Sequence, residues 1–348
     1  MLIQQNVPLA PLTTLGVGGP AQFFSEIHTP EDAMEAIQFA RSRKLPVFVL
    51  GGGSNLVVAD KGWPGLVLKV AISGIKIDAG GKHLRLEVGA GEDWDKLVAH
   101  AVGLNCSGIE CLSGIPGSVG GTPVQNVGAY GQEVSETIQS VTALDLNTLE
   151  IRELSREDCG FSYRASIFNT SERGRYIVLK VVYALARGGA PKLAYADLQK
   201  YFVGAATPPT LLQVRDAVRE IRAGKGMLIS SADPDCRSAG SFFKNPVLSA
   251  EQFEELTRRA SALQLKIPSY PALEARRKVS AAWLVENSGF KKGFGAGRAG
   301  ISHKHALAIV NRGGATAAEI LALKENIQQK VKEIWNVFLE PEPVLVGF

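Results

Sequence analysis

Several stretches in this 348-residue chain carry residue types from which chemistry could be built. Gly51, Gly52 and Gly53 with Ser54 and Asn55 form the run GGGSN, and residues 114–131 read GIPGSVGGTPVQNVGAYG, with six glycines and two prolines. Glycine has no Cβ and accepts either sign of φ, so a glycine turn can bring several backbone N–H groups against phosphate oxygens. Six glycines in one loop are more than turns alone require. Neither run is G-x-G-x-x-G and neither ends in Gly-Lys-Ser/Thr, which argues against a standard dinucleotide turn of the NAD type and against a nucleoside triphosphatase. Two separate glycine loops point instead to a large diphosphate ligand, such as a flavin dinucleotide, held between two subdomains.

Ser241, in AGSFFKNP, has glycine on one side only and so is not the nucleophile of a Gly-x-Ser-x-Gly elbow. Arg164, in CGFSYRASIF, is flanked by Phe161, Tyr163 and Phe168, a setting that half-buries a guanidinium and calls for an anion beside it. The run LEPEPVLVGF offers two carboxylates, Glu340 and Glu342. In SHKHA, His303 and His305 alternate as on one face of a strand, but no third ligand has suitable spacing, and no metal is expected.

The elements that must position these groups can be read from periodicity. A strand at 21–27, a helix at 29–44 with Thr29 as its cap and Pro30 in its first turn, and a strand at 45–50 form a βαβ unit that favours a parallel pair. Strands follow at GLVLKV, HLRLEVGAG, SVTALDL, LEIREL and YIVLKVVYAL, with a helix at 93–103 whose Trp94, Leu97, Val98 and Ala101 share a face. Further helices are expected at TLLQVRDAVREIRAGKG, from Ser249, and from the capping box of Thr316 and Glu319. The predicted class is mixed α+β. Hydrophobic residues make up 45% of the chain and charged ones 21%, as in ordinary globular proteins, and the net charge of +4 is too weak and too evenly spread for nucleic acid. Cys106, Cys111, Cys159 and Cys236 form no C-x-x-C pair, which fits free thiols. Without a signal-peptide pattern or a membrane-length apolar run, a cytoplasmic protein is expected.

Seven motifs occur in one order: TTLGVGGPAQF, LGGGSNLVVAD, LSGIPGSVGGTPVQNVGAYGQEV, CGFSYRASIF, AGSFFKNP, AAWLVENSGFKKG with GRAGISHKHALAIVN, and LEPE. Together they resemble the UDP-N-acetylenolpyruvoylglucosamine reductases over essentially the whole chain. The resemblance implies a two-subdomain FAD-binding fold of the vanillyl-alcohol-oxidase/PCMH type plus a C-terminal α+β substrate domain. Residues 1–70, completed by 339–348, would be the first flavin subdomain, 71–227 the second, and 228–338 the substrate domain.

The same resemblance implies that Gly51, Gly52, Gly53, Ser54, Asn55 and Ser113, Gly114, Pro116, Gly117 and Ser118 contact the FAD pyrophosphate. Asn126, Gly128, Ala129 and Gly131 would run along the rest of the cofactor, and Thr14 would reach it too. Arg164, Ser241 and Glu342 would be catalytic, with Glu340 the alternative carboxylate; Pro343 departs from the β-branched residue expected after Glu342. Tyr163, Tyr195, Lys225, Asn245 and Lys278 would bind the UDP-sugar, Tyr195 on a loop that closes over its diphosphate. NADPH would be the hydride donor, a monomer is expected, and no nucleic acid or membrane partner is. Two rivals stay open: another FAD-dependent oxidoreductase acting on a sugar or hydroxy acid, and a non-enzymatic nucleotide-binding module.

Overall fold

The computed structural model describes every residue except Ala79 and Leu273, and the chain divides into two compact units. The first comprises Met1–Val7, Ala21–Gly53 and Trp63–Gly224; the second comprises Pro8–Pro20, Ser54–Gly62 and Lys225–Phe348. The mixed α+β class expected from the sequence is the observed one.

In the first unit, the strand–helix–strand run expected at 21–50 is present as Pro20–Ile27, helix α1 (Pro30–Ser42) and Val47–Leu50. Its two strands do not pair with each other. Trp63–Val70 lies between them and runs parallel to both. The reason lies in that strand's composition: Leu66, Val67 and Leu68 are consecutive and fully buried. Successive strand residues point to opposite faces, so this strand is covered on both sides and takes an inner position. Helix α1 starts on a reciprocal capping box between Thr29 and Asp32, and buries Ala33, Ala36, Ile37 and Ala40 on one face. A box of this kind contributes about 1 kcal/mol.

The unit's larger sheet has six strands, with Tyr176–Arg187 pairing antiparallel to Ile138–Asp145 on one side and His83–Gly89 on the other. Helix α2 (Trp94–Gly103), capped by Asp93, buries Trp94, Leu97, Val98 and Ala101 as its periodicity predicts. Two more helices, α3 (Ala196–Tyr201) and α4 (Leu211–Gly224), complete the unit, and α4 packs Leu211, Val214, Ala217 and Val218 inward.

The second unit is built on helices α5 (Ala250–Ala262), α6 (Ala281–Glu286) and α7 (Ala317–Trp335). Capping boxes start α5 at Ser249 and α7 at Thr316 with Glu319, and Asp60 adds a second anchor by accepting from the N–H groups of Ala317 and Ala318. The core includes Phe242, Phe243, Leu256, Ile320, Ile327, Val331 and Trp335. The strand Val344–Val346 pairs parallel with Leu56–Val58. His303 and His305, expected on a strand, lie instead in the turn that joins Ala299–Ile301 to Ile309–Asn311. Among the described residues no helix is long and apolar enough to cross a membrane.

Candidate active site

Within the first unit the two glycine runs meet backbone to backbone. A Cβ on Gly52 would stand 2.4 Å from the Cα of Gly117, and one on Gly51 would stand 2.9 Å from the Oγ of Ser118. Gly53, Gly114 and Gly117 have φ of +66°, +71° and +135°, conformations that favour glycine. The flanks of the second loop, Ser113, Gly114 and Ser118, are buried, while its tip from Ile115 to Gly117, including Pro116, is half-buried.

The loop is pinned from below. The indole of Trp94 donates to Leu112 O at 3.1 Å, the hydroxyl of Ser113 to Glu110 O at 2.6 Å, and the N–H of Val119 to Glu92 O at 2.9 Å. Lys69 donates to the carbonyl of Gly51, and burial lowers its pKa. The hydroxyl of Ser118 is different: it is buried and has no hydrogen-bond partner among the described residues. An orphaned buried hydroxyl costs about 1–3 kcal/mol. A phosphate oxygen at this loop would accept from it, so the residues present fit the diphosphate of FAD.

Beyond the loop, Gly128–Ala129 and Gln132–Glu133 form a two-residue hairpin. Its central residues Tyr130 and Gly131 have φ of +49° and +84°, the primed-turn pattern that matches strand twist. A buried tyrosine in the left-handed region is strained, which marks the turn as held by its surroundings. Tyr130 stacks edge-on against Tyr195 with ring centroids 5.4 Å apart, so the structure brings together the hairpin and the residue expected on the closing loop. Asn126 (φ +46°) spends its side chain locally, donating to Glu133 and Ser162 O and accepting from the N–H of Ser135. Arg164 (φ +55°) is half-buried as its aromatic neighbours predict, donates to Gly128 O at 2.7 Å, and lies 5.5 Å from the ring centre of the exposed Tyr163.

Within the second unit, residues 241–244 and 340–342 run antiparallel. Lys244 N–H donates to Glu340 O at 3.0 Å and Glu342 N–H to Phe242 O at 2.9 Å, which puts Glu342 beside the residue that follows Ser241. Asn55 brackets the same segment, its side chain donating to Glu342 O at 3.2 Å and its own carbonyl accepting from Val344 N–H at 2.9 Å. The N–H groups that donate here, to Phe242 O and to Asn55 O, belong to residues 342 and 344, so the missing N–H of Pro343 between them leaves both bonds intact. Glu340 is exposed and ion-paired with Lys244 at 3.1 Å. Thr14 donates to Ser238 O at 2.6 Å. Asn245 accepts from Ala281 N–H at the start of α6, and Lys278 sits in the short strand Arg277–Val279.

Lys225 leads into a turn packed on the histidine loop: a Cβ on Gly226 would lie 3.3 Å from Asp235 and 3.4 Å from Lys304. Asp235 is buried and accepts from Ser302 Oγ at 2.8 Å and from the N–H of His303 at 2.7 Å. Burial, with repulsion from Lys225 and Lys292, pushes the His305 imidazole down to about 4, and its Nδ1 accepts from Leu307 N–H. The folded ring therefore stays neutral where the unfolded one, near its ordinary 6.5, takes up a proton. Its contribution to stability is complete above about pH 6.5 and is lost as pH falls toward about 4. We expect urea midpoints of the wild type to decline across that window, and His305→Gln to flatten the decline; an unchanged slope would assign it to other groups.

Periodicity did not reveal Lys69, Asp95 or the arginines of α4, Arg215, Arg219 and Arg222, all of which hold the glycine loops. The only trace in the sequence is a lysine inside an apolar strand and arginines spaced by one helical turn.

The family model of the UDP-N-acetylenolpyruvoylglucosamine reductase C-terminal domain matches residues 232–346, and that of an FAD binding domain matches residues 21–155. A UDP-N-acetylenolpyruvoylglucosamine reductase of Thermobifida fusca is 46% identical over 99% of this chain and 98% of its own. One of Streptomyces coelicolor is 45% identical over 98% of this chain and 90% of its own. Among solved structures, UDP-N-acetylenolpyruvylglucosamine reductase from Thermus caldophilus superposes with a TM-score of 0.68 at 27% identity, covering 99% of this chain and all of the other.

Proposed function

Because the chain belongs to the UDP-N-acetylenolpyruvoylglucosamine reductase family, we propose that it reduces UDP-N-acetylglucosamine enolpyruvate to UDP-N-acetylmuramate with NADPH, a step toward peptidoglycan precursors. It is an FAD-binding oxidoreductase. When bound, with its diphosphate held by Gly51–Gly53 and the loop 113–118, FAD would supply the two-electron redox chemistry between NADPH and the enolpyruvyl group. The protein's residues supply the rest. The guanidinium of Arg164 binds the substrate carboxylate and stabilises negative charge that develops there and on C2. Glu342 orients the adjoining group, and the hydroxyl of Ser241 gives its proton to C2. Residues 1–70 and 71–227 hold the cofactor in this reading, while 228–338, with Lys225 and Tyr195, recognise the nucleotide sugar.

The observation that supports this reading most is the antiparallel run of 241–244 against 340–342. It keeps a serine and a carboxylate on adjoining segments, and among the described residues no histidine hydrogen-bonds the serine hydroxyl. Purified protein is expected to be yellow, to bleach anaerobically with NADPH, and to recolour on addition of the enolpyruvyl sugar nucleotide. Colour without recolouring would favour a different flavin oxidoreductase, and colourless protein a nucleotide-binding module. The carboxylate assignment has its own test. Glu342→Gln is expected to lower kcat by about 10² or more, whereas Glu340→Gln, which removes only an exposed ion pair with Lys244, changes it by less than about threefold. The reverse ranking would move the role to Glu340.

A further inference from the structure

Asp95 lies in the first turn of α2, where any carboxylate is favoured by the helix dipole. Its contacts go well beyond that. Oδ1 accepts from Gly114 N–H at 2.6 Å and from Arg215 at 2.6 Å, while Oδ2 accepts from the other terminal nitrogen of Arg215 at 3.0 Å and from Arg219. Arg222, further along α4 and buried, donates its Nε to the carbonyl of Gly114 at 3.1 Å. Residues 215, 219 and 222 fall on one helix face, at i, i+4 and i+7. Gly114, in its left-handed conformation, is thus gripped at both its N–H and its C=O by charged side chains. Burial tends to raise the Asp95 pKa, but the Arg215, Gly114 and Arg219 contacts outweigh it and hold the carboxyl below its usual range.

We propose that Asp95 is a positioning residue for cofactor binding: through Gly114 it sets the shape in which the loop 113–118 receives the cofactor diphosphate. The proposal rests on the reading that this loop holds the FAD pyrophosphate. A negative charge so close to a dianion would ordinarily repel it. Here α4 brings two guanidinium groups, Arg215 and Arg219, against the carboxylate and a third, Arg222, against the carbonyl of Gly114, so positive charge outnumbers negative around the loop and Asp95 is free to act through geometry.

Position and charge therefore predict opposite signs for one substitution. Asp95→Asn removes a negative charge, so if the field alone mattered FAD would bind more tightly. It also breaks the two-oxygen grip on Arg215 and Arg219, so if geometry dominates FAD binds more weakly. We expect about tenfold weaker binding, read as flavin fluorescence released on dilution of the holoenzyme, with an unchanged far-ultraviolet circular dichroism spectrum. Arg215→Lys, which keeps the charge and loses the fork, is expected to weaken FAD severalfold in the same assay and serves if the Asn variant fails to fold. The KM for the sugar nucleotide at saturating FAD should not move in either variant. Unchanged or tighter FAD binding in both variants overturns the proposal. A wild-type protein that binds no FAD overturns the underlying reading of the loop instead.

Discussion

Ser241→Ala is expected to leave reduction by NADPH within about twofold of wild type while slowing reoxidation by the enolpyruvyl nucleotide by about 10²–10⁴, the range a positioned general acid supplies. The setting makes this a clean substitution. Ser241 is half-buried, and its hydroxyl makes no hydrogen bond among the described residues, so removing it orphans no partner. The backbone on its C-terminal side is held by the fully buried Phe242, whose N–H donates to Leu307 O at 2.8 Å and whose carbonyl accepts from Glu342. The change in folding stability should therefore stay within about 0.5 kcal/mol. Stopped-flow absorbance at the flavin band separates the two phases. Equal slowing of both, or of neither, would remove Ser241 from the role of proton donor.

Gly52→Ala should be the more damaging change, although it adds one methyl group. That carbon would stand 2.4 Å from Gly117 Cα, 2.6 Å from Gly117 C and 2.7 Å from Ser118 N, all of them backbone atoms. No side chain can swing aside, so the two glycine loops must part by about 1 Å, a misplacement that costs roughly 10² in a site that works by geometry. We expect FAD affinity to fall by about that factor and the variant to purify nearly colourless. Gly121→Ala is the matching control, because its new carbon would meet nothing nearer than the Ser118 hydroxyl at 4.0 Å. If both variants retain flavin as wild type does, the contact between the loops plays no part in binding.

The readable parts of this protein were those where neighbours in sequence act together. Thr29, Ser249 and Thr316 cap helices through bonds to residues three positions on, and the face of α2 follows from spacings of three and four. Glycine density marked both loops for the same reason, since the backbone freedom they need is a local property. The hidden parts depend on partners far along the chain. Asp95 reaches Arg215 across 120 positions, and the place of Trp63–Val70 inside its sheet depends on which strand is best able to be covered twice. The two histidines of SHKHA share strand spacing yet occupy a turn, because the local alternation of polar and apolar residues does not reveal where a hairpin reverses.

The second unit carries a consequence for how the protein is made. Its pieces are Pro8–Pro20, Ser54–Gly62 and Lys225–Phe348, and the strand Leu56–Val58 has its parallel partner in Val344–Val346. On a ribosome adding about 5–20 residues per second, that partner emerges roughly 290 residues later, a wait on the order of 15–60 s. Through that interval the early strand presents an unpaired apolar edge, the kind of surface that captures other nascent chains. Glu342, bracketed by Asn55, can be seated only at the end of that wait. The carboxylate we assign to chemistry is thus also among the last groups to be put in place.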